Sequence, residues 1–207
     1  MTQMAEDAKN HPPHFNNAAF DIVAIAASAG GLTALIKVLS IPPEFTAAIA
    51  IVQHLAPKHR SFLAEILGRR TDIIVKQAKE GDCLTPGTAY VAPPNRHLLV
   101  NGDGTLSLSQ SELVNFLRPS ADLLFESVAA TYKDRAIALV LTGTGSDGAV
   151  GVEAIKKMGG IIIVQDPKTA KFSGMPFAAI QTGNVDFILP LDEISSTLVT
   201  LVMGESY

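Results

Sequence analysis

The sequence predicts an α/β protein with a doubly wound, mostly parallel sheet and flanking helices. Short, nearly continuous apolar runs, such as "DIVAIAA" at 21–27 and "AIALVLT" at 136–142, are typical of strands buried on both faces. Segments with apolar residues at helical spacing follow these runs. Because strands and helices alternate, the strands need crossover connections, and such connections favour a parallel sheet with helices on both sides.

Two alternating stretches surround a β-rich middle. The first contains, in order, strand 21–27, helix 30–40, strand 47–53 and helix 61–70. The second contains helix 120–132, strand 136–142, helix 148–159 and strand 160–165, and the segments 175–183 and 192–203 complete the pattern. Helix 30–40 is expected to stop before Pro42, and Ser120 is a suitable N-cap for helix 120–132.

The middle of the chain carries three shorter strand signals, at 72–78, 87–93 and 97–109. The last has the pattern of a hairpin, since "NGDG" supplies residues that tolerate positive φ. We expect this region to form an antiparallel edge or insertion. The predicted architecture is therefore a Rossmann-like three-layer sandwich with an antiparallel β-hairpin at one edge.

Composition narrows the functional class. Of 207 residues, 47% are hydrophobic and 17% charged, which predicts a large core. A net charge of −4 argues against a nucleic-acid partner or an anionic membrane surface. One cysteine cannot form an intramolecular disulfide, and no stretch is long and apolar enough to insert into a membrane. These features predict a cytoplasmic protein.

The polar amino-terminal segment, residues 1–19, is expected to be a flexible tail, and residues 20–207 to form one domain. Its histidines, His11 and His14, are interpreted as solvated side chains because no further metal ligands accompany them.

Three residues of catalytic type follow predicted buried strands. Ser28 follows the strand at 21–27, His54 follows the strand at 47–53, and Asp147 lies in the "TGTGSDG" loop. In open α/β sheets, ligands bind outside the carboxyl ends of the strands. A serine, a histidine and an aspartate there are the arrangement that the nucleophile, base and orienting carboxylate of a hydrolytic triad need. The "TGTGSDG" loop can equally be a turn whose aspartate bonds its own backbone.

The surroundings of Ser28 allow two interpretations. Small residues on both sides clear space around the hydroxyl, and the free N–H groups of the following helix can stabilise an oxyanion. The same turn can also bind phosphate or simply cap the helix. However, "AASAG" lacks the glycine of a nucleophile elbow, and no G-x-G-x-x-G pattern occurs there. Local sequence leaves both a nucleophile and a plain turn open.

Other histidines compete with His54 for the role of base, and His54 itself can be a core residue. His59 lies beside two basic residues in a segment expected to be exposed, which favours a surface role. His97 opens the predicted hairpin and remains a candidate on local sequence alone.

Six separated segments carry a resemblance to a known family: "IAASAGG" near the start, "IVQH" at 51–54, "EGDCLTPGTAYVAPPNRHL" at 80–98, "RPSADLLFESVA" at 118–129, "LTGTGSDGAVG" at 141–151 and "GMPFAA" at 174–179. In this order, they resemble the catalytic domain of the chemotaxis protein-glutamate methylesterases, the CheB family. That family hydrolyses γ-glutamyl methyl esters on chemoreceptors, without a metal or organic cofactor.

The resemblance implies roles for particular residues. It assigns Ser28, His54 and Asp147 to the catalytic triad and the backbone amides of Ala29 and Thr144 to the oxyanion hole. It makes His97 a motif residue near the site and not the base. The family usually has threonine at the position of Ala29 and methionine at that of Thr144, so side-chain packing around the ester is expected to differ.

The resemblance implies a serine esterase that acts on methylated cytoplasmic helices of chemoreceptors. Whether it also deamidates glutamine side chains is left open by the sequence. The alternative is a catalytically weak receptor-binding module that retains the triad. Family members usually carry an amino-terminal receiver domain, whereas some twenty polar residues precede the predicted domain here. The isolated chain is therefore expected to have an open site.

Overall fold

The computed structural model describes residues 12–54 and 61–204. Its elements are β1 (Ile22–Ala27), α1 (Gly31–Val38), β2 (Ala48–Gln53), α2 (Leu63–Gly68), β3 (Ile74–Gln77), β4 (Thr88–Val91), β5 (His97–Val100), β6 (Leu106–Ser109), α3 (Ala121–Tyr132), β7 (Ala136–Val140), α4 (Ala149–Lys157), β8 (Ile161–Gln165), α5 (Gly174–Gln181), β9 (Phe187–Leu189) and α6 (Leu191–Met203). None of the helices in these ranges is long and apolar enough to cross a bilayer.

Seven strands form one parallel sheet in the order β3-β4-β2-β1-β7-β8-β9. β1 lies at the centre, where Ile25 pairs with Ile51 of β2 on one side and with Leu139 of β7 on the other. From β1 the chain first builds the sheet toward β3 and then returns to continue through β7. The strand order thus reverses between β1 and β7, and the carboxyl edge at such a point is where α/β sheets bind ligands. The predicted doubly wound α/β fold is confirmed.

Alternate residues of the central strands face two separate cores. Ala24 and Ala26 of β1 pack in the core beneath α3, α4 and α5. Val23 and Ile25 pack in the core beneath α1, α2 and α6. Because both faces are covered, every residue of β1, β2 and β7 is buried, which explains their unbroken apolar runs.

The β-rich middle differs from the expectation of an antiparallel edge. β3 and β4 join the main sheet as parallel strands, with β3 at its edge. The predicted hairpin exists as β5 and β6, but these strands form a separate two-stranded antiparallel sheet. Its apolar face is buried in the core shared with α3, through Leu98, Val100 and Leu106. The apolar face of the hairpin is therefore covered by α3, and the hairpin is not paired with an edge strand of the main sheet.

The strand β9 is not predicted by the sequence pattern. This strand has three residues, Phe187–Leu189, and extends the parallel sheet next to β8. A segment so short shows too little periodicity to be recognised, and its partly exposed residues do not form a continuous buried run.

The segment before β1 contacts the domain where the structure describes it. His14 Nδ1 lies 2.7 Å from Asp21 Oδ2, and the Phe15 amide donates to Asp21 Oδ1 at 2.9 Å. Asp21 is fully buried and also accepts hydrogen bonds from the Arg135 guanidinium. Residues 1–11 of the predicted tail, including His11, lie outside the described residues.

Candidate active site

Ser28 occupies the turn between the central strand β1 and α1. Its amide donates to Thr142 O at 3.0 Å, and its carbonyl accepts the Gly31 amide at 2.9 Å. Gly30 adopts a φ of +80°, a conformation that side chains rarely tolerate, so the chain turns sharply into the helix. Strand pairing with β7 and the glycine turn together fix the backbone of Ser28 at the carboxyl edge of the sheet.

Gln53, the last residue of β2, connects the serine turn to His54. Its Nε2 donates to Ser28 O at 2.8 Å and to His54 O at 3.0 Å. The side chain fits because residue 31 is glycine: a Cβ on Gly31 would lie 1.9 Å from Gln53 Oε1. One buried amide therefore holds the backbones of both residues.

His54 follows β2 directly and is hydrogen-bonded to Asp147. Its Nε2 lies 2.7 Å from Asp147 Oδ2, and only a small fraction of either side chain is exposed. Because the carboxylate can only accept, Nε2 carries the proton and Nδ1 is the basic nitrogen of the neutral ring. This is the tautomer that a general base requires.

Asp147 receives several hydrogen bonds from the start of α3. Oδ1 accepts from Ser120 Oγ at 2.8 Å and from the Asp122 amide at 3.2 Å, and Oδ2 accepts from the Ala121 amide at 2.6 Å. Burial alone would raise the pKa of this carboxyl. The hydrogen bonds from His54, Ala121 and Ser120 outweigh burial, so the pKa lies below its usual value and Asp147 is ionised.

The three residues line one cavity. This cavity has a volume of about 340 Å³ and is lined by Ser28, His54, Asn115, Leu117, Thr144, Gly145, Ser146 and Asp147. A neighbouring cavity of about 260 Å³ shares His54 and Leu117 with it. Among the described residues, no hydrogen bond joins the Ser28 hydroxyl to His54. Catalytic contacts of this kind often tighten only when substrate binds.

The loop after β7 passes close behind Ser28. A Cβ on Gly143 would lie 2.8 Å from Ser28 Cβ and 2.1 Å from Met175 Sδ, so only glycine fits at this position. Neither the Ala29 amide nor the Thr144 amide donates a hydrogen bond to any described group. Thr144 lines the cavity of Ser28, whereas Ala29 is not among its lining residues.

His97 is buried, and both of its ring nitrogens are engaged. Nδ1 accepts the Ser120 amide at 3.2 Å, and Nε2 donates to Glu112 O at 3.1 Å. Burial lowers the pKa of His97, so the ring is neutral. His97 supports Ser120 and is not free to act as a base. His59, the other alternative, lies outside the described residues.

Several residues of this site were not among the predicted site residues. Ser120 was expected as an N-cap, and it does occupy that position, but its side chain does not cap its own helix and bonds Asp147 instead. Gln53 and Asp122 lie in predicted elements and carried no sequence signal of their own beyond their place in "IVQH" and "RPSADLLFESVA".

Comparison with known proteins identifies the family. The sequence matches the family described as CheB methylesterase over residues 23–198. The chain belongs to this family. The predicted resemblance is therefore confirmed.

The structure matches the crystal structure of the CheB methylesterase catalytic domain of Thermotoga maritima with a TM-score of 0.85 and 36% sequence identity, covering 88% of this chain and 99% of that one. A relative from Leptospira interrogans is 42% identical over 183 residues, which cover 88% of this chain and 95% of the relative.

A second relative, the protein-glutamate methylesterase/protein-glutamine glutaminase of Pyrococcus horikoshii, is 42% identical over 184 residues. The match covers 87% of this chain and 50% of that protein. The chain thus corresponds to nearly all of one CheB relative and to about half of another.

Proposed function

We propose that the protein is a serine esterase that hydrolyses γ-glutamyl methyl esters on the cytoplasmic helices of chemoreceptors. The observation that carries the proposal is the 2.7 Å hydrogen bond between His54 and Asp147 in a cavity shared with Ser28. Membership of the CheB methylesterase family supports the reaction type, and the name of the Pyrococcus horikoshii relative supports the substrate class.

The first step is attack by Ser28. His54 Nδ1 accepts the proton of the Ser28 hydroxyl as Oγ forms a bond to the ester carbonyl carbon. The imidazolium that results is stabilised by Asp147, which is already ionised and hydrogen-bonded to Nε2. Because Asp147 is fixed by three further donors, the ring does not have to reorient during the reaction.

The negative charge that develops on the carbonyl oxygen needs hydrogen-bond donors. Ala29 directly follows Ser28 in the sequence, and Thr144 lies in the loop after the neighbouring strand β7. Neither amide donates a hydrogen bond to a described group. Each donor of such an oxyanion hole is worth roughly 3 kcal/mol of transition-state stabilisation. Backbone amides supply this stabilisation whatever the side chain, so the alanine and threonine found here are compatible with the role.

The tetrahedral intermediate then expels the methoxy group, which takes the proton from His54 and leaves as methanol. Water attacks the acyl-serine with His54 again as base, and glutamate and free Ser28 are released. A glutamine side chain forms the same acyl-enzyme with ammonia as leaving group. The proposal therefore includes deamidation, in agreement with the second activity in the relative's name.

The deciding experiment measures methanol release from a methylated receptor fragment. We expect Ser28→Ala and His54→Ala each to abolish most of the release while leaving the circular dichroism spectrum unchanged, because the two residues act as one unit. A fluorophosphonate should label wild type at the peptide containing Ser28 and should label His54→Ala poorly. Wild-type methanol release by Ser28→Ala would overturn the mechanism. A correctly folded wild type with no release would favour a receptor-binding module.

A further inference from the structure

The helices α3 and α4 cap each other's amino termini with carboxylates. Asp122 in the first turn of α3 accepts the amides of Gly148 and Gly151 at the start of α4, both at 2.9 Å. Asp147, just before α4, accepts the amides of Ala121 and Asp122. Ser120, the N-cap of α3, makes no capping hydrogen bond to its own helix, and the N-cap of α4 is Gly148, which has no side chain. Asp147, the carboxylate that is hydrogen-bonded to His54, is therefore one half of a reciprocal arrangement.

Close packing of the two helices makes this arrangement possible. A Cβ on Gly151 would lie 2.5 Å from Phe125 Cβ and 3.1 Å from Asp122 Cα. Glycine at this position lets α4 approach α3 closely enough for the Asp122 carboxylate to reach two amides. Because Gly148 is bonded to Asp122 and directly follows Asp147, the backbone that carries Asp147 is held at this point.

The carboxylate of Asp122 is buried beside a second carboxylate, Asp147, which is an unfavourable setting for its charge. Asp122 is nearly fully buried, and burial raises its pKa to about 6, with a further contribution from the negative charge of Asp147. The amides of Gly151 and Gly148 oppose this rise only in part. An asparagine can accept the same two amides without placing a second charge beside Asp147.

We propose that Asp122 is a positioning residue for the triad. By accepting the Gly148 and Gly151 amides, it fixes the loop before α4 so that Asp147 Oδ2 meets His54 Nε2. Asp122 does not contact the reacting atoms and acts through Asp147. This inference rests on the proposed function, because it assumes that the His54–Asp147 pair is catalytic.

The test compares two substitutions in the full chain. Asp122→Ala removes Oδ1, the oxygen that accepts both amides, and we expect kcat for methanol release to fall at least tenfold with KM changed less than twofold. The rate of fluorophosphonate labelling at Ser28 should fall by the same factor, since it depends on His54 but not on receptor binding. Asp122→Asn keeps an oxygen acceptor for the two amides and should restore both rates to within about threefold of wild type.

The matched control is Asp21→Ala, which removes an equally buried aspartate that also accepts a backbone amide, from the opposite end of β1. It should lower the thermal midpoint without lowering kcat per folded molecule. If Asp122→Ala does not fold, Asp122→Ser, whose short side chain cannot reach both amides, takes its place.

A kcat within twofold of wild type in the alanine or serine variant would overturn the inference. So would an asparagine variant as slow as alanine, or an equal loss of kcat in Asp21→Ala. Failure of the proposed function is distinguished by Ser28→Ala, which would then release methanol or react with the phosphonate as wild type does.

Discussion

The Ser120 hydroxyl donates a 2.8 Å hydrogen bond to Asp147 Oδ1 across 27 residues of sequence. Ser120 immediately precedes α3, where its own amide donates to His97 Nδ1. The serine is thus held by a buried histidine on one side and orients the carboxylate of the proposed triad on the other. A hydrogen bond to a charged group contributes about 1.5–3 kcal/mol, more than a neutral pair.

Ser120→Ala is expected to lower kcat by about tenfold, because Asp147 loses one of the donors that fix its orientation and its low pKa. KM should change little. Steady-state methanol release measures both. Ser127→Ala on the same helix is the matched control, since the Ser127 hydroxyl bonds Leu124 O and the Val100 amide, away from Asp147. Equal kcat values for the two variants would contradict the assignment of Ser120.

Asp147→Asn is expected to lower kcat by roughly 10⁴-fold, the loss that follows the same substitution of the orienting aspartate in a serine protease triad. One end of an amide is a donor, so it cannot accept from His54, Ser120 and the two helix amides together. The histidine would then favour the wrong tautomer. Methanol release and the circular dichroism spectrum should be measured together. A folded variant with more than a tenth of wild-type activity would exclude this role for Asp147.

The positions of Ser28, His54 and Asp147 could be predicted because each follows an apolar run that is unmistakably a buried strand. Parallel strands place their carboxyl ends at one edge, and these three ends meet because β2 and β7 flank β1 in the sheet. The structure places all three in the same cavity. Placing the three residues at this edge required the positions of the strands and no side-chain conformations.

The support of Asp147 could not be predicted in the same way. The start of α3 was evident from Ser120, but which carboxylate would bond its amides depends on the packing of α3 against α4. That packing is set by Gly151, whose missing Cβ lets the helices approach. The hairpin was predicted from its turn residues, but its position against α3 was not. A pattern of apolar residues does not show which element covers them.

Gly31→Ala should disturb the site through Gln53. The added Cβ would overlap Gln53 Oε1, whose amide group holds the backbones of Ser28 and His54. We expect a destabilisation of about 1–3 kcal/mol, typical of overpacking, and a lower kcat. Urea unfolding and methanol release are the measurements.

Gly68→Ala is the control for this substitution. It also lies in a helix, but its Cβ would meet no atom closer than 3.7 Å. It should leave kcat unchanged and stabilise the protein by about 0.5–1 kcal/mol through lower backbone entropy in the unfolded state. If Gly31→Ala behaved like Gly68→Ala, Gln53 would not be needed to hold the two backbones.

The raised pKa of Asp122 predicts how stability depends on pH. The folded-state pKa of about 6 exceeds the ordinary value of 3.8, so the folded protein binds a proton more tightly between these values. This carboxyl therefore stabilises the fold at low pH, and the contribution is lost as the pH rises through about 6. Relative to Asp122→Asn, wild type should gain roughly 1 kcal/mol in the free energy of unfolding between pH 7 and pH 5. A difference between the two proteins that stays constant over this range would show that Asp122 does not titrate there.

Phe116 is expected to contact the receptor helix beside the ester. Its side chain is 94% exposed at the rim of the 260 Å³ cavity that includes His54. It follows Asn115, and both residues adopt positive φ, 66° and 48°, which is uncommon for residues other than glycine. Because Phe116 is exposed beside this cavity, its ring gains apolar contacts when a receptor helix binds over the cavity.

Phe116→Ala should raise KM for a methylated receptor fragment about fivefold, which corresponds to roughly 1 kcal/mol of lost apolar burial. Hydrolysis of p-nitrophenyl acetate should be unchanged, because a small ester does not extend beyond the cavity of Ser28. The control is Ile74→Ala, which removes an apolar residue that is 65% exposed. Ile74 begins β3, the outermost strand on one side of the sheet, and so lies away from the carboxyl ends of the strands, where Ser28 is. It should affect neither substrate. An equal effect of Phe116→Ala on both esters would place Phe116 in the structure of the catalytic site, and no effect on either would exclude it from receptor binding.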